Sequence, residues 1–337
     1  MTFRVALSVV VLLSAALTAS AVTHVVDVGG TGDYTTIRTA VDAASDGDTV
    51  LVLPGSYTGI NNRFIRFYGD NLVVRSSTGA VSTTIDGEGD GPIFDLRDGE
   101  DPTSVIQGFT MQNAYKYTNG GALVCHTASA TVMDCIFDDC SSGLNGGAVS
   151  CYECTTAIEN CVFTGCGAGG HAGAIYAYRA PVRVSGCVFY DNASPQDVVY
   201  LNDSPGTVTR CTFSHNGPEA IGIGSATTAT VTNCVFAFAS SGGAVRCQGS
   251  GDLQISHCVV WANAGGDSLC ATYHDNLFVD PLFCDGPGYD YTYCADSPCV
   301  AGINGWGEWV GALGQGCPPC APAVEQSSWG AVKALYR

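Results

Sequence analysis

Cys135-Ile136-Phe137-Asp138-Asp139-Cys140, Cys161-Val162-Phe163-Thr164-Gly165-Cys166 and Cys187-Val188-Phe189-Tyr190-Asp191-Asn192 are three copies of one phrase. Cys211-Thr212-Phe213, Cys234-Val235-Phe236 and Cys258-Val259-Val260 continue it, and Phe109-Thr110-Met111 precedes it. The first residues are spaced by 26, 26, 26, 24, 23 and 24. A second phrase keeps the same step: Gly120-Gly121-Ala122-Leu123, Gly146-Gly147-Ala148-Val149, Ala172-Gly173-Ala174-Ile175 and, after two degenerate turns, Gly242-Gly243-Ala244-Val245. Two phased motifs at one step mark a solenoid.

The residues within one repeat select its type. Short apolar-alternating stretches are broken by Gly, Asn, Asp and Ser, with no helical period. Strands so short, at a constant step, stack on their equivalents one coil away, about 4.8 Å apart. The chain is therefore expected to be all-β, a parallel β-helix, wound right-handed like other parallel crossovers. Alternation puts Cys and Phe of each Cys-x-Phe on the interior face. The residue between them, Ile136, Val162, Val188, Thr212, Val235 or Val259, then points outward. That apolar stripe reads either as β-propensity alone or as a docking face for a partner, a glycan or a terminal segment.

Three residues after each Phe stand Cys140, Cys166, Asn192, Asn216 and Ala239, with Asn263 at the matching place of the sixth coil. Buried Asn at a repeated bend forms an amide ladder. Cysteines one coil apart fall within the Cα range of a disulfide, so Cys140–Cys166 and Cys125–Cys151 read either as rung-to-rung bridges or as reduced stacks.

Solenoid ends need protection against edge pairing. Between Tyr34 and Ala44, the residues Ile37, Ala40, Val41 and Ala44 recur at helical spacing, predicting a short N-terminal capping helix. At the other end Cys284, Cys294, Cys299, Cys317 and Cys320 lie among Pro and Gly and read as a disulfide-tied closing segment. The expected organisation is a signal peptide over 1–21, a cap with first coils over 22–104, regular coils over 105–283, the Cys-rich segment over 284–320 and a tail over 321–337. The signal peptide rests on the apolar run Val5 to Leu17 followed by Ala19-Ser20-Ala21. It implies an exported chain, extracellular or on the outer cell surface, with 18 cysteines in an oxidising setting. No later stretch is long and apolar enough to span a membrane. Ser327 to Arg337, basic and aromatic, reads as a sorting or docking tag or as a frayed end.

Composition removes one class of partner. The chain has 13 Lys+Arg against 31 Asp+Glu, a net charge of −18, and only two lysines, Lys116 and Lys333. Phosphate recognition depends on clustered cations, so nucleic acid is excluded. With 46% hydrophobic residues the chain is not disordered.

The GGA-plus-aliphatic phrase, together with Phe189-Tyr190-Asp191-Asn192 and Phe213-Ser214-His215-Asn216, resembles the passenger repeats of bacterial polymorphic outer membrane proteins. Phe137–Cys140 and Phe163–Cys166 are Cys-ended variants. Gly32 to Tyr57 is similar to the opening of secreted right-handed β-helix proteins of the pectin-lyase-like superfamily, and Asp280-Pro281-Leu282-Phe283-Cys284 through Gly311-Ala312-Leu313-Gly314 to a closing segment of the same group. Together these cover most of residues 30–317. The polymorphic family usually ends in a translocator barrel, which the 17 residues after Cys320 are too few to form.

The resemblance implies a fold more than an activity. Polysaccharide lyases of the superfamily need a calcium site of carboxylates and an Arg or Lys base. The best acidic group is Asp138, Asp139 and Asp191, with His215 one coil further; Arg183 and Arg210 do not stack in one column. These residues read as solvated turn positions, and as a surface site only under the lyase alternative, the one case that would call for Ca²⁺. Gly169-Gly170-His171-Ala172 is only superficially like the Gly-His-Gly of polygalacturonases. Cys151-Tyr152-Glu153-Cys154 and Cys317-Pro318-Pro319-Cys320 have zinc-like spacing but lie at opposite ends, so they are expected to be structural. The expectation is no catalytic, cofactor or metal site, and a surface or secreted module for adhesion or glycan binding at the cell outer membrane. Its partner would be a polysaccharide or a cell-surface protein. The alternatives are a polysaccharide lyase or glycoside hydrolase, and a structural envelope or matrix component.

Overall fold

The computed structural model describes residues 20–248, 251–270 and 272–320; the expected signal peptide, save its last residues, and the 321–337 tail lie outside them. The chain winds as a parallel β-helix whose coils contribute to three sheets. The first sheet has eleven strands, from Thr23–Val26 to Thr272–His274. It runs without break through the stretches 22–104 and 105–274, so cap and coils share one solenoid. The second sheet has seven strands, Phe94–Leu96 through Val245–Cys247, and the third has nine, Gly55–Tyr57 through Val259–Trp261. Every pairing within these three sheets is parallel and in register with the repeat, as in Phe137↔Phe163↔Phe189↔Phe213↔Phe236.

Three bends per coil separate the sheets, and each is made by a residue in the left-handed region. Before the cysteine ladder these are Asp134, Asn160, Gly186, Arg210, Asn233 and His257, with φ of 52 to 65°. After the third sheet they are Asn113, Asp139, Gly165, Asp191, His215, Phe238 and Ala262. The third bend uses Thr127, Glu153, Arg179, Asp203 and Ala226. Asn, Asp, His and Gly tolerate this conformation best, which explains the polar punctuation of the sequence.

The residue after each bend turns inward. Cys135, Cys161, Cys187, Cys211, Cys234 and Cys258 form one buried column, and each thiol donates to a main-chain carbonyl two residues back, at 3.2–3.4 Å. Asn276 ends that column, its Oδ1 accepting from the Cys258 amide. At the second bend Asn192 Nδ2 donates to the Phe163 carbonyl (2.9 Å) and to Asn216 Oδ1 (3.0 Å). Beside these columns the phenylalanines stack almost parallel, with centroids 4.4 to 5.2 Å apart.

Two expected bridges are corrected here. Cys125, Cys151, Cys140 and Cys166 are buried and unbridged. In-register side chains of parallel strands project side by side at the ladder spacing of about 4.8 Å, wider than the roughly 3.8 Å between Cβ atoms that a disulfide needs. Instead Cys140 Sγ donates to the Met111 carbonyl (3.3 Å) and Cys166 Sγ to that of Phe137 (3.5 Å), the position the Asn amides take in later coils. Burial pushes the thiols of Cys135, Cys161, Cys187 and Cys234 well up, which makes them poor nucleophiles.

Both ends are closed. A five-residue helix, Ile37–Val41, turns Ile37, Ala40 and Val41 into the first coil. At the other end Phe283–Asp285, Asp290–Cys294 and Gln315–Cys317 form a separate small sheet. This segment folds back over the third sheet instead of capping the last coil alone. Tyr293, Cys299 and Val310 pack on Val235, Ala237 and Val259, and the Thr212 hydroxyl lies 3.2 Å from that of Tyr293. The outward stripe is accordingly buried at Val188, Thr212, Val235 and Val259 but half-exposed at Ile136 and Val162. Cys284–Cys317 and Cys294–Cys320 are bonded, as is Cys247–Cys270 beside the last coil. Cys299, expected among the bridged cysteines, is unbridged: it is buried in the seam against the third sheet, where burial pushes its thiol up to about 12.

Candidate functional site

The residues singled out from sequence do not form one site. Asp139, Asp191, His215 and Arg210 all occupy left-handed bends, with φ of 49, 54, 55 and 52°. Asp138 is on the outer face of the third sheet, its carboxyl raised by burial and by Asp139. His215 lies under the closing segment, with Nδ1 2.8 Å from Ser214 Oγ and 3.4 Å from the Tyr291 hydroxyl. Arg210 faces Glu308 at 4.0 Å, on a different bend. Among the described residues, Asp138, Asp139 and Asp191 do not converge on a metal-sized point. The bend supplies the physical reason for these side chains: Asp and His are tolerated where φ is positive.

A different face carries organised chemistry. In each strand of the second sheet alternation sends two side chains outward. The register builds one row from Val124, Ser150, Tyr176, Tyr200, Gly222 and Arg246, and a second from His126, Tyr152, Tyr178 and Asn202. In the second row His126 meets the Tyr152 ring edge-on at 4.8 Å and Tyr152 stacks on Tyr178 at 5.1 Å; Tyr176 and Tyr200 lie 6.1 Å apart. Arg179 sits 5.0 Å over the Tyr178 ring, held by Asp203 at 3.0 Å. The seven strands span about 29 Å at ladder spacing.

One end of the face is anchored by a buried charge network. Asp197 is fully buried and accepts from Arg246 Nε (3.0 Å) and Nη2 (2.7 Å), two coils away, and lies 3.1 Å from His171 Nδ1. The intervening coil must offer Gly222, because a Cβ there would lie 2.0 Å from Asp197 Oδ1. His171 stacks on Tyr200 at 4.2 Å and Arg246 covers the same ring at 5.9 Å. Burial raises the Asp197 carboxyl, opposed by hydrogen bonds from Arg246 and His171. At the other end Arg97, Lys116, Asn119, His126, Ser150 and Tyr152 help to line a cavity of about 260 Å³, in which burial lowers the Lys116 ammonium.

This arrangement can hold an elongated ligand by ring faces and by polar groups at both ends. Tyr is suited to that use, since one side of it is apolar and its hydroxyl stays wet. Sequence reading took up His171 alone and gave no role to Arg246, Asp197, Tyr176 and Tyr200. A signal was present: Tyr152 and Tyr178 are 26 residues apart and Tyr176 and Tyr200 24 apart, the steps of the repeat itself.

Fold and face together define a parallel β-helix protein with an aromatic ligand-sized surface. Residues 120–280 match the family model for the right handed beta helix region, a stretch that contains six of the seven strands of the second sheet. No curated protein matches the chain. Among the described residues no helix is long and apolar enough to cross a membrane.

Proposed function

We propose that the chain is an exported, non-catalytic module of the cell surface or its surroundings that holds an extended polysaccharide along the outer face of the second sheet. One observation carries this reading: two registered rows of outward side chains that present the rings of His126, Tyr152, Tyr176 and Tyr178, tied at one end by Arg246–Asp197–His171 and opening at the other into the Arg97–Lys116–His126 cavity. A binder needs only such a row. The half-exposed rings of His126, Tyr152, Tyr176 and Tyr178, with Tyr200 buried beside them, are fixed by their neighbours before a ligand arrives, which limits the ordering cost of binding. The lyase or hydrolase reading has a single supporting feature, the His171–Asp197 contact, which orients an imidazole beside the rings.

The test is one screen of the purified protein against acidic and neutral polysaccharides, scoring retention and release of unsaturated or reducing ends together. Retention without release is expected, and Tyr176→Ala or Tyr178→Ala should each weaken it by roughly 2- to 12-fold. Release of ends that disappears in His171→Ala would replace the binding reading with the enzymatic one. Absence of retention by any polymer would overturn both.

A further inference from the structure

The sulfurs of the closing segment are closer together than two independent bridges require. Cys294 and Cys317 are register partners in the small closing sheet, and Cys284 lies on the neighbouring strand. Cys317-Pro318-Pro319-Cys320 brings the fourth sulfur back onto Cys294. The structure joins them as Cys284–Cys317 and Cys294–Cys320, and the two bridges touch: Cys294 Sγ is 3.6 Å from Cys317 Sγ. The sulfurs of Cys284, Cys294 and Cys317 lie within 4.8 Å of one another, and so do the donor atoms of Cys294, Asp296 and Cys320. A tetrahedral zinc ion with Zn–S bonds of about 2.3 Å has S···S edges of about 3.8 Å. One pair of zinc-like spacing, Cys317/Cys320, thus meets Cys284 and Cys294 across the small sheet, a meeting that the distant Cys151/Cys154 pair does not offer.

We propose that Cys284, Cys294, Cys317 and Cys320 form a four-thiolate Zn²⁺ site when the two bridges are reduced, so that the closing segment stays docked on the third sheet in either redox state. A dithiol reductant delivers two electrons and two protons to each bridge and is itself oxidised to a disulfide; four thiols replace two S–S bonds. Zn²⁺ then displaces four protons as four Zn–S bonds form. An all-sulfur tetrahedral set selects zinc over the hard cations. Cys294 is fully buried while the other three are half-buried, which leaves the metal a path in. Asp296 accepts from the Cys320 amide at 3.0 Å and holds the returning turn in place. The solenoid beneath already carries cysteines as thiols: among the described residues, eleven of its cysteines are unbridged, as is Cys299 of the closing segment.

The test uses the full chain, produced in a reducing cytosol and purified with a phosphine reductant and no chelator. Zinc is measured per chain, cobalt is substituted to look for thiolate-to-metal charge transfer, and cysteines are mapped by alkylation with and without added Zn²⁺. The expected result is about one Zn²⁺ per chain, a cobalt–thiolate band, and protection of these four cysteines. Cys294→Ser and Cys320→Ser should each reduce bound zinc by roughly tenfold or more, and Cys154→Ser should leave it unchanged. Should a serine variant fail to fold, the alkylation map of the unaltered chain still decides. Reduced chain free of zinc, zinc that survives both closing-segment substitutions, or protection falling on solenoid cysteines would each overturn the proposal. None of these outcomes bears on polysaccharide binding.

Discussion

Asp197 is a buried carboxyl group whose partners Arg246 and His171 come from other coils, and it sets the properties of the aromatic face. Its folded-state carboxyl is raised by burial, with Arg246 and then His171 acting against that shift. A raised folded value means that the fold binds the proton more tightly than the unfolded chain, so this group's contribution to stability falls as pH rises past about 3.8. Arg246→Ala removes the strongest lowering partner and raises the carboxyl further. Its destabilisation should therefore be greater at pH 7 than at pH 4, reaching about 3–5 kcal/mol at neutral pH, as checked by denaturant melts at both values. An equal penalty at the two pH values would show that Arg246 acts by packing alone. Gly222→Ala tests the same network from below: the added methyl meets Asp197 Oδ1, and a loss of about 1–3 kcal/mol with weakened ligand retention is expected. Repeat spacing made the interior residues legible but not this one, because its place in the next coil is held by Glu219 and no single residue type repeats there.

At the scale of one coil, the ladders are the unit of stability, and their chemistry is interchangeable within limits. Phe163 lies between two parallel rings at 4.7 and 4.8 Å. Phe163→Ala should cost about 3–5 kcal/mol, and an unchanged melting temperature would mean that the ring stack is not the core. Cys166 and Asn192 occupy equivalent bends, the thiol donating to the Phe137 carbonyl at 3.5 Å and the amide to the Phe163 carbonyl at 2.9 Å. Cys166→Asn extends the amide ladder by one rung, and stability is expected to stay level or rise by about 1 kcal/mol in a thermal melt. A clear loss would show that the bend at Cys166 is too tight for the amide. The ladder, the Phe column and the helical cap were all readable from residue spacing. That Cys140 and Cys166, like Cys125 and Cys151, stay unbridged was not, because Cα separation permits a bridge while the parallel direction of the side chains does not.

At the scale of the molecule, the closing segment divides one chemically uniform stripe into two environments. Ile136 and Val235 stand at equivalent places, one half-exposed and one buried under the closing segment. Val235→Asp should release the segment, seen as rapid proteolysis between Phe283 and Cys317, whereas Ile136→Asp should leave both melting and proteolysis close to the parent. Equal sensitivity at the two positions would refute the covering arrangement. Spacing, alternation and bend chemistry are local and repeated, so the sequence by itself determined the parallel β-helix, its interior columns, its helical cap and the existence of an outward apolar stripe. What covers the stripe, which tyrosines share a face with Arg246 and Asp197, and where four distant cysteines meet were decided only by the tertiary structure. Those contacts join residues 49, 81 and up to 100 positions apart at places that occur once. A period cannot encode a contact that does not repeat.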